Sequence, residues 1–351
     1  MTRREGPPEE ERESIPFLLA RVSSVPLRTA GAERFSDPLP RAVLDWQEPS
    51  ARSRRLGGIA LVIAAMLVLV AIFADLLASD APLLCRAHGT IYVLPAITHV
   101  PLEDVTWSIR TPIPRGPRAT DARPLETPSL GHPLGTDRDG RDVLARTIHG
   151  TRSYLLFALG AVVASVAVGA FFGAVAGLFG GALDALVSRA IESVTAFPPL
   201  VLVLGVQAAV PKPTVLTLFL AIALTRWPVI ARLVRGEVIA ATTRDYVLAA
   251  RALGASPYRI LFLHIVPNVR TPVVVAAAVS VGAVILTEAA LDFLRIGVTE
   301  TPSWGETMSE FRDAPHAWWL IGLPGVLLVV TIVCFNLLGE ALRSVLDPRH
   351  Q

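Results

Sequence analysis

Apolar residues in this chain gather into runs of about 20, the length an α-helix needs to cross a hydrocarbon core of about 30 Å at 1.5 Å per residue. The first run predicts a transmembrane helix at 56–78. Five more follow, at about 154–178, 183–210, 213–233, 272–294 and 317–342. The pattern predicts an all-α integral membrane protein with six transmembrane helices. Arg52, Arg54 and Arg55 stand just before the first run, which places the N-terminus in the cytoplasm. Six crossings return the C-terminus to the same side. The arginine bias agrees: 232–270 holds six Arg, whereas 295–316 holds only Arg295 and Arg312 among four acids.

Around the spans the pattern divides the chain into a cytoplasmic tail (1–55), the first helix (56–78), a long extracytoplasmic loop (79–152), a five-helix core (153–342) with a cytoplasmic loop at 235–268, and a short cytoplasmic tail (343–351). The first tail is proline-rich and mixed in charge, a composition that favours disorder or loose helix. The first span begins too far from Met1 for a cleaved secretory signal and reads as a retained signal anchor. The 79–152 loop has nine Arg, but loops of this length cross regardless of charge. It predicts an extracytoplasmic cap with one short strand at 90–94.

Composition sharpens this picture. Of 351 residues 52% are apolar and 18% charged, against about 25% charged in ordinary soluble domains. Segments 1–55 and 79–152 together hold 36 of the 62 charged side chains, which leaves the remaining positions apolar enough to span. A net charge of +2, with signs mixed in both polar segments, provides no basic stripe and argues against nucleic acid. Lys212, the only lysine, follows Pro211, so a phosphate-binding Gly-Lys-Ser/Thr loop is excluded; no His precedes Glu, which excludes the His-Glu-x-x-His zinc pattern. Cys85 and Cys334 support neither a disulfide framework nor a metal site. Asp137, Asp139 and Asp142 miss calcium-loop spacing, with Gly140 at the fourth position and Ile148 at the twelfth, and read as the acidic start of a helix. No metal or cofactor is expected on this chain.

Several residues inside the spans carry functional readings beside plainer ones. Glu192, Arg226, Glu288 and Asp292 lie within or near spans, where an ionised group costs about 2.5–3.5 kcal/mol at the bilayer centre. They read either as translocation-path contacts or as interface salt bridges and span-end snorkellers, Glu192 and Asp292 being placed as the snorkellers. Phe197-Pro198-Pro199 and Trp227-Pro228 should interrupt and bend their helices, as a gate requires and as packing alone also tolerates. Gly169, Gly173 and Gly177, four apart, present a small face for close helix packing. Trp304, Trp318 and Trp319 read as interfacial anchors.

The stretch 244–268 is polar, Arg-rich and punctuated. Thr242-x-x-Asp245 fits a capping box, a helix at 246–253 follows, Gly254 takes the left-handed C-terminal position, Ser256-Pro257 starts a second helix and Pro267 stops it. Ala249, Ala250, Ala252 and Gly254 form a small-residue surface beside Arg244, Arg251 and Arg259, suited to a partner groove or, on periodicity alone, to an anionic lipid surface.

The residues 245–256 (Asp245-Tyr-Val-Leu-Ala-Ala-Arg-Ala-Leu-Gly-Ala-Ser256), followed by Ile265-Val-Pro-Asn268, resemble the EAA loop of ABC importer permeases, specifically the dipeptide/oligopeptide/nickel family. His132-Pro-Leu-Gly-Thr-Asp137 with Gly140-Arg-Asp-Val143 is similar to that family's signature before the second span. Thr301-Pro-Ser-Trp-Gly305 is similar to its loop before the last span, and Phe335-Asn-Leu-Leu-Gly339 with Leu342-Arg and Leu346-Asp-Pro348 to its ending. The resemblance covers about 130–349 and follows the order of the C-type subunit. Leu248 stands where the motif has its glutamate, and Arg295 interrupts a usually Gly-rich stretch.

The resemblance implies the type I ABC importer permease fold in the bacterial cytoplasmic membrane. It implies a sister permease, two cytoplasmic ATPase subunits and an extracytoplasmic solute-binding protein as partners, with surrounding lipid. ATP and Mg belong to the ATPases, and the chain itself is no enzyme. The residues carried over for ATPase coupling are Asp245, Tyr246, Ala249, Ala250, Arg251, Gly254, Ala255, Ile265 and Pro267; Glu192, Pro198, Arg226 and Glu288, read from their places in the spans, are the candidates for a translocation path or interface. Peptide is the favoured cargo and a nickel chelate or other solute the alternative. From another class stands a self-sufficient secondary transporter or channel relaying ions through its intramembrane charges, against which no inverted repeat is visible.

Overall fold

The computed structural model describes residues 51–87, 90–98, 105–297 and 301–346. The 1–50 part of the N-terminal tail, and 347–351 with the Asp347-Pro348 end of the last motif, lie outside the described residues. The chain opens with α1 (Ala51–Ile72) and a short α2 (Ala74–Leu77). A three-stranded antiparallel sheet follows, β1 (Leu84–Ala87), β2 (Thr90–Val93) and β3 (Val105–Ile109) in the order β2-β1-β3, with α3 (Pro95–Thr98) between the last two. The expected lone strand is thus one of three.

The bundle continues with α4 (Val143–Phe179), α5 (Gly181–Thr195), α6 (Pro199–Ala209) and α7 (Val215–Thr242). Next come α8 (Asp245–Ala252), one turn of α9 (Pro257–Arg259) and a π-helix (Ile260–Ile265). They lead into α10 (Val266–Phe293), then α11 (Trp304–Glu310) and α12 (Trp319–Leu346). Five helical spans are long and apolar enough to cross a membrane, or six when α5 and α6 count as one bent span.

That bend is 85°, so the single span expected at 183–210 is broken. Pro198 and Pro199 lack N–H donors, and each disfavours helical backbone in the residue before it, so α5 ends at Thr195 and α6 restarts with Pro199 in its first turn. The other predicted proline effects differ. α7 runs unbroken through Pro228, and Pro267 does not stop its helix. At Pro267 the π-helix shifts the register by one residue, so the missing donor falls at the junction and α10 continues.

α4 starts eleven residues before the run predicted at 154–178 and extends over 37 residues, about 55 Å. Its polar first turns are stable because Asp142 accepts from the Ala145 N–H at 2.9 Å, while Arg146 and Arg152 find Glu306 and Asp75 at 2.8 Å each.

The tightest packing is between α4 and α7. A Cβ at Gly173 would lie 2.5 Å from the Ala231 carbonyl oxygen, at Gly169 2.7 Å from that of Trp227, and at Gly177 2.9 Å from that of Arg235. The three glycines let two backbones touch, as small-residue stripes do in membranes. α1 packs on α12, where Cys334 Sγ donates to the Ala60 carbonyl at 3.0 Å. The central core joins Tyr154, Leu155, Ile222, Ile285, Leu291 and Trp304; a second apolar cluster lies beneath α8.

Candidate functional site

Two ends of the bundle concentrate the chemistry. At one, α8 lies across the ends of α7 and α10, held by a single fully buried side chain, Val247, which meets Val238, Ile260, Ile265 and Val269. The capping box expected at Thr242-x-x-Asp245 does not form. α7 extends through Thr242, whose hydroxyl donates to the Ile239 carbonyl, and Arg244 precedes α8 with no side-chain cap. Gly254 has φ +81 with open space around it, the left-handed turn that ends the helix, and Ser256 caps the next by accepting from the Arg259 N–H.

Asp245, Tyr246, Ala249, Arg251 and Gly254 are exposed on this end. Ala250 and Ala255 are half-buried against the apolar cluster. Ile265 is fully buried and Pro267 stands at the π–α10 junction, so Ile265 anchors the segment rather than facing a partner. Asn268 ties the two motif halves together, donating to the His264 carbonyl at 2.7 Å and to the Tyr246 hydroxyl at 3.3 Å. Leu248 is 47% and Leu253 89% exposed, which makes this face more apolar than a glutamate at 248 would. Beside it, a cleft of about 1280 Å³ opens between α7, α10 and α12, with Arg244, Arg270 and Arg343 on its wall.

The opposite end, here the cap end, carries the sheet, the turn at 137–142 and α11. Several of its polar groups are buried and paired. Arg141 reaches Asp137 at 2.6 Å and Glu310 at 3.4 Å; Arg146 reaches Glu306 at 2.8 Å. Burial raises the Glu310 carboxyl above its ordinary range, against the Arg138 N–H that it accepts at 2.9 Å. Asp313, hydrogen-bonded by Arg295, is held below the ordinary range.

Trp304 and Trp319 are core residues here rather than interfacial anchors: their indole N–H groups donate to the carbonyls of Thr147 and Thr136 at 2.9 and 3.0 Å. Trp318 alone is exposed. Asp292 is no snorkeller either; it is buried and accepts from the Tyr154 hydroxyl at 2.8 Å, which in turn accepts from the Gly305 N–H at 3.0 Å. This junction of α4, α10 and α11 escaped the sequence reading, although the 132–143 and 301–305 motifs that build it were both visible.

Inside the bundle, Arg226 donates to the Ala283 carbonyl at 3.1 Å and to the Thr287 hydroxyl at 3.3 Å. Glu288 is buried with one carboxylate oxygen unpartnered. Glu192 is exposed and pairs with Arg189, and Pro198 sits at the 85° break. Among the described residues no ion pair joins Glu192, Arg226 and Glu288 to one another.

Helices long and apolar enough to cross a membrane, one pair of them broken at prolines, define a polytopic α-helical membrane protein. The family described as binding-protein-dependent transport system inner membrane component matches residues 169–351, and the chain belongs to it. It is a multi-pass inner-membrane protein. It is 38% identical over 218 residues to the di/tripeptide transport system permease protein DppC of Pseudomonas aeruginosa, covering 62% of this chain and 72% of that one. It is 31% identical over 312 residues to the dipeptide transport system permease protein DppC of Alkalihalophilus pseudofirmus, covering 88% and 91%. It is 35% identical over 224 residues to the oligopeptide transport system permease protein OppC of Bacillus subtilis, covering 63% and 73%.

Proposed function

We propose that this chain is one of two membrane-spanning subunits of an ATP-driven importer that carries peptides. The observation that carries the reading is the build of α8: one buried anchor, Val247, and a face of Asp245, Ala249, Arg251 and Gly254 that is exposed among the described residues. Such a face is suited to a groove on a partner. In this reading the partner is a cytoplasmic ATPase, the α8 end and both termini lie in the cytoplasm, and ATP with Mg is bound by two ATPase subunits. A solute-binding protein delivers cargo at the cap end, and a sister permease completes the path. The relatives' names support peptide cargo. The chain performs no chemical step; it converts ATPase closure, received through residues 243–267, into movement of the helices around the path.

The test is to purify the tagged chain from its native membrane in mild detergent, identify the accompanying proteins by mass spectrometry and assay ATP hydrolysis. A second permease and an ATPase are expected. The double variant Arg251→Glu with Gly254→Trp is expected to insert normally and lose the ATPase and uptake. A homo-oligomer without ATPase, or unchanged uptake in the variant, overturns the reading.

A further inference from the structure

The cleft beside α8, about 1280 Å³ in volume, lies among the last turns of α7, the first turns of α10 and the end of α12. Each of these elements brings one arginine to its wall: Arg244 just after α7, Arg270 in the first turns of α10 and Arg343 in the last turn of α12. Among the described residues Glu237 is the one acid on this wall, so three arginines against one glutamate leave the lining at +2.

Other arginines near span ends find carboxylates: Arg235 meets Asp184, Arg152 meets Asp75 and Arg189 meets Glu192. Arg244, Arg270 and Arg343 differ. Among the described residues none of the three has a carboxylate within ion-pair distance, although Asp245 adjoins Arg244 and Glu340 lies three residues before Arg343. All three are exposed, with their N–H donors turned to no acid of this chain among those residues.

Behind the arginines the wall becomes apolar. On α7 the lining runs inward from Arg244 past Glu237 to Leu233, and on α10 from Arg270 to Val274, Val275 and Ala276. Leu233 lies nine residues before the end of α7 at Thr242, about 14 Å along the axis. That depth is close to half of a hydrocarbon core of about 30 Å, the thickness of one leaflet. Val274 is 44% exposed, so aliphatic surface stays open beneath the charges.

Positive charge at the mouth and aliphatic surface within reproduce, in complement, the order of groups in a phospholipid. A guanidinium offers a phosphate two parallel N–H donors, and basic pockets between membrane helices recognise anionic headgroups in this way. A soluble anion or an acidic protein segment would meet the arginines equally well but leave the aliphatic wall uncovered.

We propose that this cleft binds one anionic phospholipid, its phosphate among Arg244, Arg270 and Arg343 and an acyl chain along Leu233, Val274 and Val275. Arg244 is the residue immediately before α8, so the bound phosphate also fixes where that helix begins. The site does not rest on the importer reading above.

The experiment is native mass spectrometry of the purified full chain, with whatever subunits accompany it, from detergent micelles holding equal amounts of dioleoyl-phosphatidylglycerol and dioleoyl-phosphatidylcholine. The two lipids share acyl chains and differ in net headgroup charge. The wild type should retain phosphatidylglycerol about tenfold or more over phosphatidylcholine, and Arg270→Gln and Arg343→Gln should each cut that preference about fivefold. Arg232→Gln, at an exposed arginine of α7 outside the cleft, should leave it unchanged. Val274→Trp fills the aliphatic wall with all three guanidiniums intact and should abolish phosphatidylglycerol retention, while its melting temperature shows that the fold is kept. Equal retention of the two lipids, or an Arg232→Gln loss as large as those of the cleft arginines, overturns the site. Retention that survives Val274→Trp, or that excess inorganic phosphate displaces, overturns the lipid and assigns the arginines to a soluble anion or an acidic protein segment. None of these readouts depends on whether an ATPase co-purifies.

Discussion

The two ends of this permease are held together by different forces. At the cap end, side chains far apart in the chain meet in buried polar contacts: Arg146 with Glu306, Tyr154 with Asp292, Trp304 with the Thr147 carbonyl. At the α8 end, apolar packing under Val247 and Ile265 holds the helix, and among the described residues its outer face is exposed. Buried hydrogen bonds are directional and costly to break, whereas apolar contact tolerates sliding. The cap end is therefore built to hold one geometry, and the α8 end to stay attached while its outer face meets something else.

The comparison breaks most visibly at Trp304. Trp304→Ala removes a fully buried ring stacked at 4.9 Å on Tyr154 and should cost about 3–5 kcal/mol, read as a large fall in melting temperature in detergent. Gly173→Val, at the α4–α7 contact that serves both ends, should cost about 1–3 kcal/mol by overpacking, read as loss of folded protein after extraction. Leu253→Asp lies on the exposed face and should shift stability by no more than about 0.5 kcal/mol while reducing recovery of the ATPase. An equal stability loss for Trp304→Ala and Leu253→Asp would erase the contrast between the ends.

The smallest effect is set by pH. Asp313 has its carboxyl depressed by Arg295, so its contribution is present above the ordinary carboxylate value of about 4 and lost as pH falls through the lower folded value. Melting curves of wild type and Asp313→Asn should differ slightly at neutral pH and converge in acid. Because the pair is solvent-exposed, salt should shrink the difference as well.

What could be read from sequence followed the range of the interactions. Helices made by runs of apolar residues, and turns made by neighbours such as Ser256-Pro257 and Gly254, appear where local chemistry puts them. The proline pair at 198–199 signalled a break but not its 85° angle, which neighbouring helices set. The extra turns of α4 were invisible because Arg146 looks unfavourable in an apolar helix until Glu306, 160 positions away, is known. Trp304, Trp319 and Asp292 were misplaced for the same reason: each has its partner in another element. The α8 surface was legible because its motif is contiguous, while the cap-end cavity draws on 138–141, 292–297 and 303–310 and exists only in three dimensions.

The uninterrupted 37-residue α4 joins the two ends by a single piece of backbone, from Asp142 beside the cap-end ion pairs to Gly177 against Val238 near α8. A rod of about 55 Å that tilts by about 5° moves its far tip by about 5 Å. Pinned at the cap end by salt bridges and held backbone to backbone against α7 along Gly169, Gly173 and Gly177, it has to move together with α7. Any displacement of the α4–α7 pair at one end would therefore be carried to the other as rotation of a rigid rod, not as compression.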